Sequence, residues 1–322
     1  MVRPVLFVDF MQNLRSGSSL LRTHQLWQLS KPGLDDAATP SAVTVSLDHR
    51  DSILVLNKNT LLHCTQEQIA TLRQHGNVVM ADPVDGKVDE SILVACSVLL
   101  AASRAQFAAF QQRFPDKRIA YVGHHVDLRI GEITPPADRL RFAYFGELVN
   151  AARAGSLGDA VTFILTDTSQ AHDSEWMKNL RHYNAHYALR AHQGIDGFKP
   201  FTKGFLAAHC ASPVLADMRD EEARCFLPES YSYFADKSSM QSVIAATERM
   251  RAGFAGPEWL EALATMRQVK EASSRAAVTA QLHAALAPEL SRGWRMPTFL
   301  RMHNFFRRKH PGRNYNRARL FI

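Results

Sequence analysis

Short and almost wholly apolar runs recur along this chain, and stretches with helical spacing separate them. In the first half the runs are residues 5–10 (VLFVDF), 52–56 (SILVL), 78–81, 92–96 and 118–122; in the second they are 140–145 (LRFAYF), 160–165 (AVTFIL), 187–190 and 214–216. Runs this short are strands, and strands with no polar alternation are buried on both faces. The segments between them carry helix signals: 20–29, 66–75 with Gly76 as a stop, 101–114 ended by Pro115, 147–154, 174–187, and a helix from Thr202 to about residue 211. Strand and helix in alternation predict parallel sheets covered on both faces. Residues 237–252, 258–269 with Pro257 at a first-turn position, and 271–290 add helices at the end.

The chain has 322 residues, 46% of them hydrophobic, enough for two domains that each bury a core. Residues 132–138 contain Pro135-Pro136 and read as the linker between halves. The halves are alike in layout and share no short-period sequence repeat. The expected organisation is residues 1–132, residues 139–290 and a separate tail, 291–322. That tail holds eight arginines and Lys309 with no acid, so of the +7 net charge +9 belongs to it and −2 to the rest. Four scattered cysteines (Cys64, Cys96, Cys210, Cys225) form no metal or redox spacing, which fits free thiols in a reducing cytoplasm. No apolar run reaches membrane-spanning length, and residues 1–10, with Asp9, read as a first strand rather than a signal peptide.

The most informative stretch is residues 187–217, YALRAHQGIDGFKPFTKGFLAAHCASPVLAD. It reads as a strand end closed by Arg190, a Gly/Pro loop, a helix with Thr202 as N-cap, and a short strand after Pro213. Lys199 and Lys203 flank the helix opening, where backbone N–H groups and two ammonium groups suit a diphosphate. The same features also describe a solvated loop with two ordinary lysines.

The run KPFTKGFLAAHCASPVLAD resembles the donor-sugar loop and helix of bacterial GT-B glycosyltransferases, in particular the GT4-like families with a Lys-Pro-x-Thr-Lys run. Lys199, Pro200, Thr202, Lys203, Pro213 and Val214 carry the likeness, which extends as an order of elements over residues 1–290. It implies an α/β fold of two Rossmann-like domains facing across a cleft. It also implies a nucleotide-sugar donor, with Lys199 and Lys203 stabilising the leaving diphosphate, and no metal or other cofactor. Donor-side residues implied with them are Thr202, Gly146, Arg190, Glu221 and Glu222, although two acids also suit the first turn of a helix electrostatically. The chain departs from the pattern at Leu206, where such enzymes carry Glu or Asn. Glu147 follows Gly146 where Arg and Lys are usual, and His124-His125 replaces Pro-Asn in the turn that leaves the first domain.

On the acceptor side the candidates are the loop residues Ser16 and Gly17, and His24 in the first helix, each also readable as an ordinary turn or surface residue. Should the reaction invert configuration, Asp9 and His24 are the residues that would supply a base. Asp82 and Asp85 sit at a strand's C-terminal end, where ligands gather in open sheets, yet they also suit a turn. The adjacent His124 and His125 lack a third metal ligand nearby. The tail mixes its arginines with Trp294, Phe299, Phe305, Phe306, Tyr315 and Phe321. It is read as an anchor to an anionic membrane surface, as a segment packed over the cleft or, least supported, as a nucleic-acid contact. The function expected is transfer of a sugar to a glycan or lipid-linked acceptor. A catalytically inactive binding protein and a sugar epimerase of the same layout are the alternatives.

Overall fold

The computed structural model describes residues 3–10, 16–34, 41–167, 170–191 and 198–291. The first lobe comprises β1 (Val5–Asp9), a π-helical turn (Ser19–Gln25) running into α1 (Leu26–Ser30), β2 (Ser41–Thr44), β3 (Ile53–Asn57), α2 (Lys58–His63), α3 (Gln66–Gln74), β4 (Val78–Asp82), α4 (Glu90–Ala95), β5 (Val98–Ala101), α5 (Arg104–Arg113) and β6 (Arg118–Tyr121). The second comprises β7 (Phe142–Gly146), β8 (Thr162–Leu165), a 3-10 helix (Glu175–His182), β9 (Ala185–Tyr187), α6 (Thr202–His209), β10 (Val214–Asp217), α7 (Glu221–Arg224), β11 (Phe234–Ala235), α8 (Met240–Ala252) and α9 (Pro257–Ala272), after which comes α10 (Arg275–Ser291).

Strands in both lobes are parallel throughout, in the orders β2-β1-β3-β4-β5-β6 and β11-β10-β9-β7-β8. Counted from its own first strand, each sheet starts 2-1-3-4-5, so one topology is built twice from unrelated sequences. In such sheets the chain leaves the first and third strands in opposite directions, and the crevice beyond their carboxyl ends is where ligands bind. In the first lobe that switch point lies beyond Asp9 and Asn57. In the second it lies beyond Gly146 and Tyr187.

The buried strands explain the apolar runs: β3 and β4 are buried at every position. Side chains from one face of the first sheet pack with α2, α3 and α5, those from the other with α1 and α10. Caps set the helix starts. Asn57 accepts from Thr60 N on α2, Thr65 and Gln68 form a reciprocal capping box on α3, and Ser103 accepts from Gln106 N on α5.

Several elements differ from expectation for identifiable reasons. The run at 92–96 belongs to a helix, α4, because the Asp89 carboxylate caps Ser91 N; the strand is the next run, β5. Short apolar runs do not distinguish the two states by themselves. The segment expected as a helix at 147–154 holds a 3-10 turn, Leu148–Asn150, then Arg153 in the left-handed region, before a second 3-10 turn, Ala154–Ser156. The helix expected over 174–187 is 3-10 and stops at His182, so that residues 185–187 form β9. The helix expected over 20–29 begins with the wider π-helical turn, and Phe201 takes the N-cap position assigned to Thr202.

The final helix returns to the first lobe. Val278, Leu282, Ala285 and Leu286 of α10 pack with Val5, Phe7, Leu26 and Leu29. Gln281 accepts from Gly123 N at 2.9 Å beyond the carboxyl end of β6, while the buried Glu289 pairs with Arg118 at the strand's start, 2.9 Å away. The helix therefore runs antiparallel to β6, and its last turn lies at the end of the sheet away from the switch point. Pro288 lacks an N–H for the Ala284 carbonyl. The Arg118 guanidinium fills that gap, donating to Ala285 O at 2.6 Å and lying 3.5 Å from Ala284 O. The tail reading concerns residues 292–322, which lie outside the described residues.

Candidate functional site

At the carboxyl end of β7 the chain turns through Gly146, whose φ is +149°. A Cβ there would stand 2.7 Å from Lys203 Nζ and 2.9 Å from the Tyr144 hydroxyl, so only glycine leaves room for the lysine. Lys203, in the first turn of α6, donates to Phe145 O at 2.5 Å, and its Nζ lies 4.1 Å from the Tyr144 ring centroid. Burial pushes this ammonium down to about 7, and the positive charges of Arg190 and Lys199 push the same way. Among the described residues no side chain caps the backbone N–H groups that open α6, and Thr202 N turns back to Pro200 O at 2.8 Å.

Arg190 is buried at the end of the β9 segment and holds the lysine loop in place by donating to the carbonyls of Lys199 and Pro200. Burial, followed by Arg190, lowers the Lys199 pKa, and Asp85 of the first lobe opposes the shift. Lys199, Lys203, Arg190 and Gly146, singled out from the sequence, thus converge on the switch point of the second sheet.

Glu221 and Glu222 separate. Glu221 is exposed on the first turn of α7. Glu222 is fully buried, and its Oε2 accepts from Ala105 N at 3.0 Å, capping α5 of the opposite lobe. Arg104 donates to Cys225 O at 3.0 Å and lies over the Phe226 ring. Phe198 meets Phe110 of α5 with ring centroids 6.3 Å apart. The lobes are therefore joined beside the lysine loop through α5.

Across the gap, the first lobe's switch point gathers the acceptor-side candidates. Asn59 Nδ2 donates to Ser16 Oγ at 2.7 Å and to Ser19 Oγ at 3.1 Å, fixing the loop through Gly17, where a Cβ would meet nothing within 4 Å. Asp9 is 2% exposed, and among the described residues neither of its carboxylate oxygens has a hydrogen-bond partner. Burial lowers the His24 pKa while the Asp9 charge raises it, and His24 Nε2 also lacks a partner among the described residues. The structure thus places Asp9 and His24 within electrostatic reach of each other.

The π-helical turn has a consequence that the sequence pattern hides. It directs Arg22 into the lobe, fully buried, where Nε donates to Asp82 Oδ2 and Nη1 to Gly123 O, both at 2.8 Å. Asp82 is thus a buried ion-pair partner as well as a turn residue. Residues 22, 82 and 123 are brought together only by the sheet, and no local spacing signals it. His124 and His125 are buried, and desolvation together with the nearby Arg22 charge holds both rings neutral, His125 down to about 3. Asp85 pairs with Lys58 at 2.8 Å. Among the described residues no cluster of three or more His, Cys, Asp or Glu side chains could hold a metal ion, and no helix is long and apolar enough to cross a membrane.

The sequence matches no protein-family model and no curated protein. Solved structures do resemble the fold. The Anabaena protein Alr3699/HepE in complex with UDP superposes with a TM-score of 0.58 at 12% identity, over 88% of this chain and 100% of that one. Sucrose-phosphate synthase from Thermosynechococcus elongatus gives 0.55 at 12% identity, over 89% and 99%. A chain of the GtfA/B complex gives 0.53 at 12% identity, over 75% of this chain and 58% of that longer one. The chain has the GT-B fold: two Rossmann-like α/β lobes of parallel strands facing across a cleft.

Proposed function

We propose that the protein is a glycosyltransferase. It moves a sugar from a nucleotide-activated donor to a glycan or lipid-linked acceptor, without a metal ion. The observation that carries this reading is Lys203 lodged against Gly146 at the second lobe's switch point, with Lys199 and Arg190 beside it. Preorganised cations and helix N–H groups aimed at a departing diphosphate lower the barrier most where charge develops during bond cleavage. The donor's glycosidic C–O bond breaks, the diphosphate leaves with the electron pair, and Lys203 and Lys199 stabilise it. The acceptor hydroxyl approaches from the lobe that carries Ser16, Gly17 and His24, its oxygen forms the new bond to the sugar carbon, and its proton passes to the leaving diphosphate on retention or to Asp9 or His24 on inversion. The solved complex of Alr3699/HepE with UDP-glucose supports a uridine donor as the first choice for trial.

A lysine in a cleft can be removed without emptying the core. Lys203→Ala should keep the fold, by circular dichroism, and abolish both UDP-sugar turnover and the nucleotide-induced rise in melting temperature. Unchanged turnover or an unchanged shift would overturn the reading.

A second reading is a GT-B-shaped binding protein without transfer activity. Glu222 supports it, because a carboxylate on the donor side is already committed to capping α5. A parent protein whose melting temperature responds to no UDP-, GDP- or CMP-sugar would favour this reading. For residues 291–322 we propose a contact with anionic membrane surface, tested by flotation with phosphatidylserine vesicles before and after their deletion.

A further inference from the structure

Among the described residues the first lobe offers one acid to the lysine site, Asp85. Asp85 lies in the turn after β4, Pro83-Val84-Asp85-Gly86, and Val84 takes a φ of +54° while buried. A β-branched residue in the left-handed region is strained, and strain of this kind persists only where surrounding contacts impose it. Here Gln106 of α5 donates to Val84 O at 2.7 Å and pins the turn. One turn further along α5, Phe110 carries Phe198, the neighbour of Lys199. A single helix therefore supports both the strained turn of one lobe and the lysine loop of the other.

Asp85 Oδ1 accepts from Lys58 Nζ at 2.8 Å, and both side chains are about a quarter exposed, 24% and 25%. Lys199 feels this carboxylate as its largest opposing charge, while Arg190 feels Asp220 first and Asp85 next. Lys58 pairs with this acid directly, and Lys199 and Arg190 of the other lobe lie in its field. A partly exposed ion pair on a strained turn costs little to break, whereas a diphosphate brings more charge to the same cations.

We propose that Asp85 is a resident counter-anion: it holds the field of Lys58, Lys199 and Arg190 until a diphosphate group displaces it. This rests on the reading of the lysine site as a diphosphate site. Displacement frees Lys58, so the first lobe gains a cation facing the bound diphosphate and the ligand ties the lobes together. Asp85 is a positioning residue here and touches no reacting atom.

Inorganic pyrophosphate is the probe, titrated calorimetrically into the full chain and its Asp85→Asn variant, with Asp85→Ser as a second variant should the first not fold. Loss of the competing charge should tighten pyrophosphate binding about tenfold and steepen its dependence on salt. A purely structural Asp85 predicts the opposite: a lower melting temperature with binding unchanged or weaker, and that result overturns the proposal. If the parent binds UDP in a Lys203-dependent way and Asp85→Asn tightens nothing, the counter-anion role fails and the glycosyltransferase reading stands. If Asp85→Asn tightens pyrophosphate and no sugar nucleotide binds the parent, the counter-anion role stands and the donor reading fails. Absence of pyrophosphate binding in both proteins overturns both.

Discussion

Replacing Gly146 with alanine tests the heart of the site with one methyl group. The added Cβ would meet Lys203 Nζ at 2.7 Å, the Tyr144 hydroxyl at 2.9 Å and Tyr144 Cζ at 3.2 Å, on a backbone at φ +149°. Holding a non-glycine residue there costs roughly 1–3 kcal/mol. The tyrosine is buried and bonded to Glu147 O, so the lysine is what yields. Its charge-assisted bond to Phe145 O is worth about 1.5–3 kcal/mol when intact and is recovered only in part after the shift. The sum is about 2–4 kcal/mol, or a melting temperature lower by roughly 3–6 °C for a chain of this size. Nucleotide affinity should fall with it, because the displaced ammonium no longer faces the switch point. Differential scanning fluorimetry with and without UDP reads both. A variant melting within about 1 °C of its parent, with the same UDP shift, would refute the packing argument and the placement of Lys203 together.

Three further outcomes can be measured, two at Lys203 and one at Glu222. Because burial brings Lys203 down to about 7, it is mostly neutral at pH 8 and charged at pH 6. A bound diphosphate favours the charged form, so binding should take up about one proton at pH 8 and almost none at pH 6, read by calorimetry in buffers of different ionisation enthalpy. The folded protein also holds fewer protons than the unfolded chain between pH 7 and the ordinary lysine value, so this group's penalty to stability is full below pH 7 and fades as pH rises. Glu222→Ala leaves Ala105 N without its acceptor and should cost about 1–3 kcal/mol, with a larger radius of gyration in solution scattering as the lobes part; an unchanged radius would remove α7 from the contact that holds them.

Much of the architecture is legible in advance because buried parallel strands leave apolar runs that need no partner to be recognised. Lys203 and Gly146 are legible through the likeness of their surroundings to known donor loops, 57 positions apart in the chain. What cannot be read is pairing that only the tertiary fold creates. Nothing near Arg22 announces Asp82, 60 residues on, and the π-helical turn that buries the arginine has no local spacing of its own. Glu222 reads as a donor-side acid because acids at a helix start look alike, whether they meet a ligand or the N-terminus of a helix in the other lobe. The run at 92–96 misleads because a five-residue apolar stretch fits either period, and one aspartate before it decides the outcome.

The return of α10 has a consequence for biosynthesis. The wall formed by Val278, Leu282 and Leu286 against Leu26 and Leu29 is translated after the whole second lobe. While the ribosome is still making that lobe, the amino-terminal one has every strand of its sheet and one uncovered greasy flank. The first lobe is thus made before the second and finished only after it, when α10 arrives.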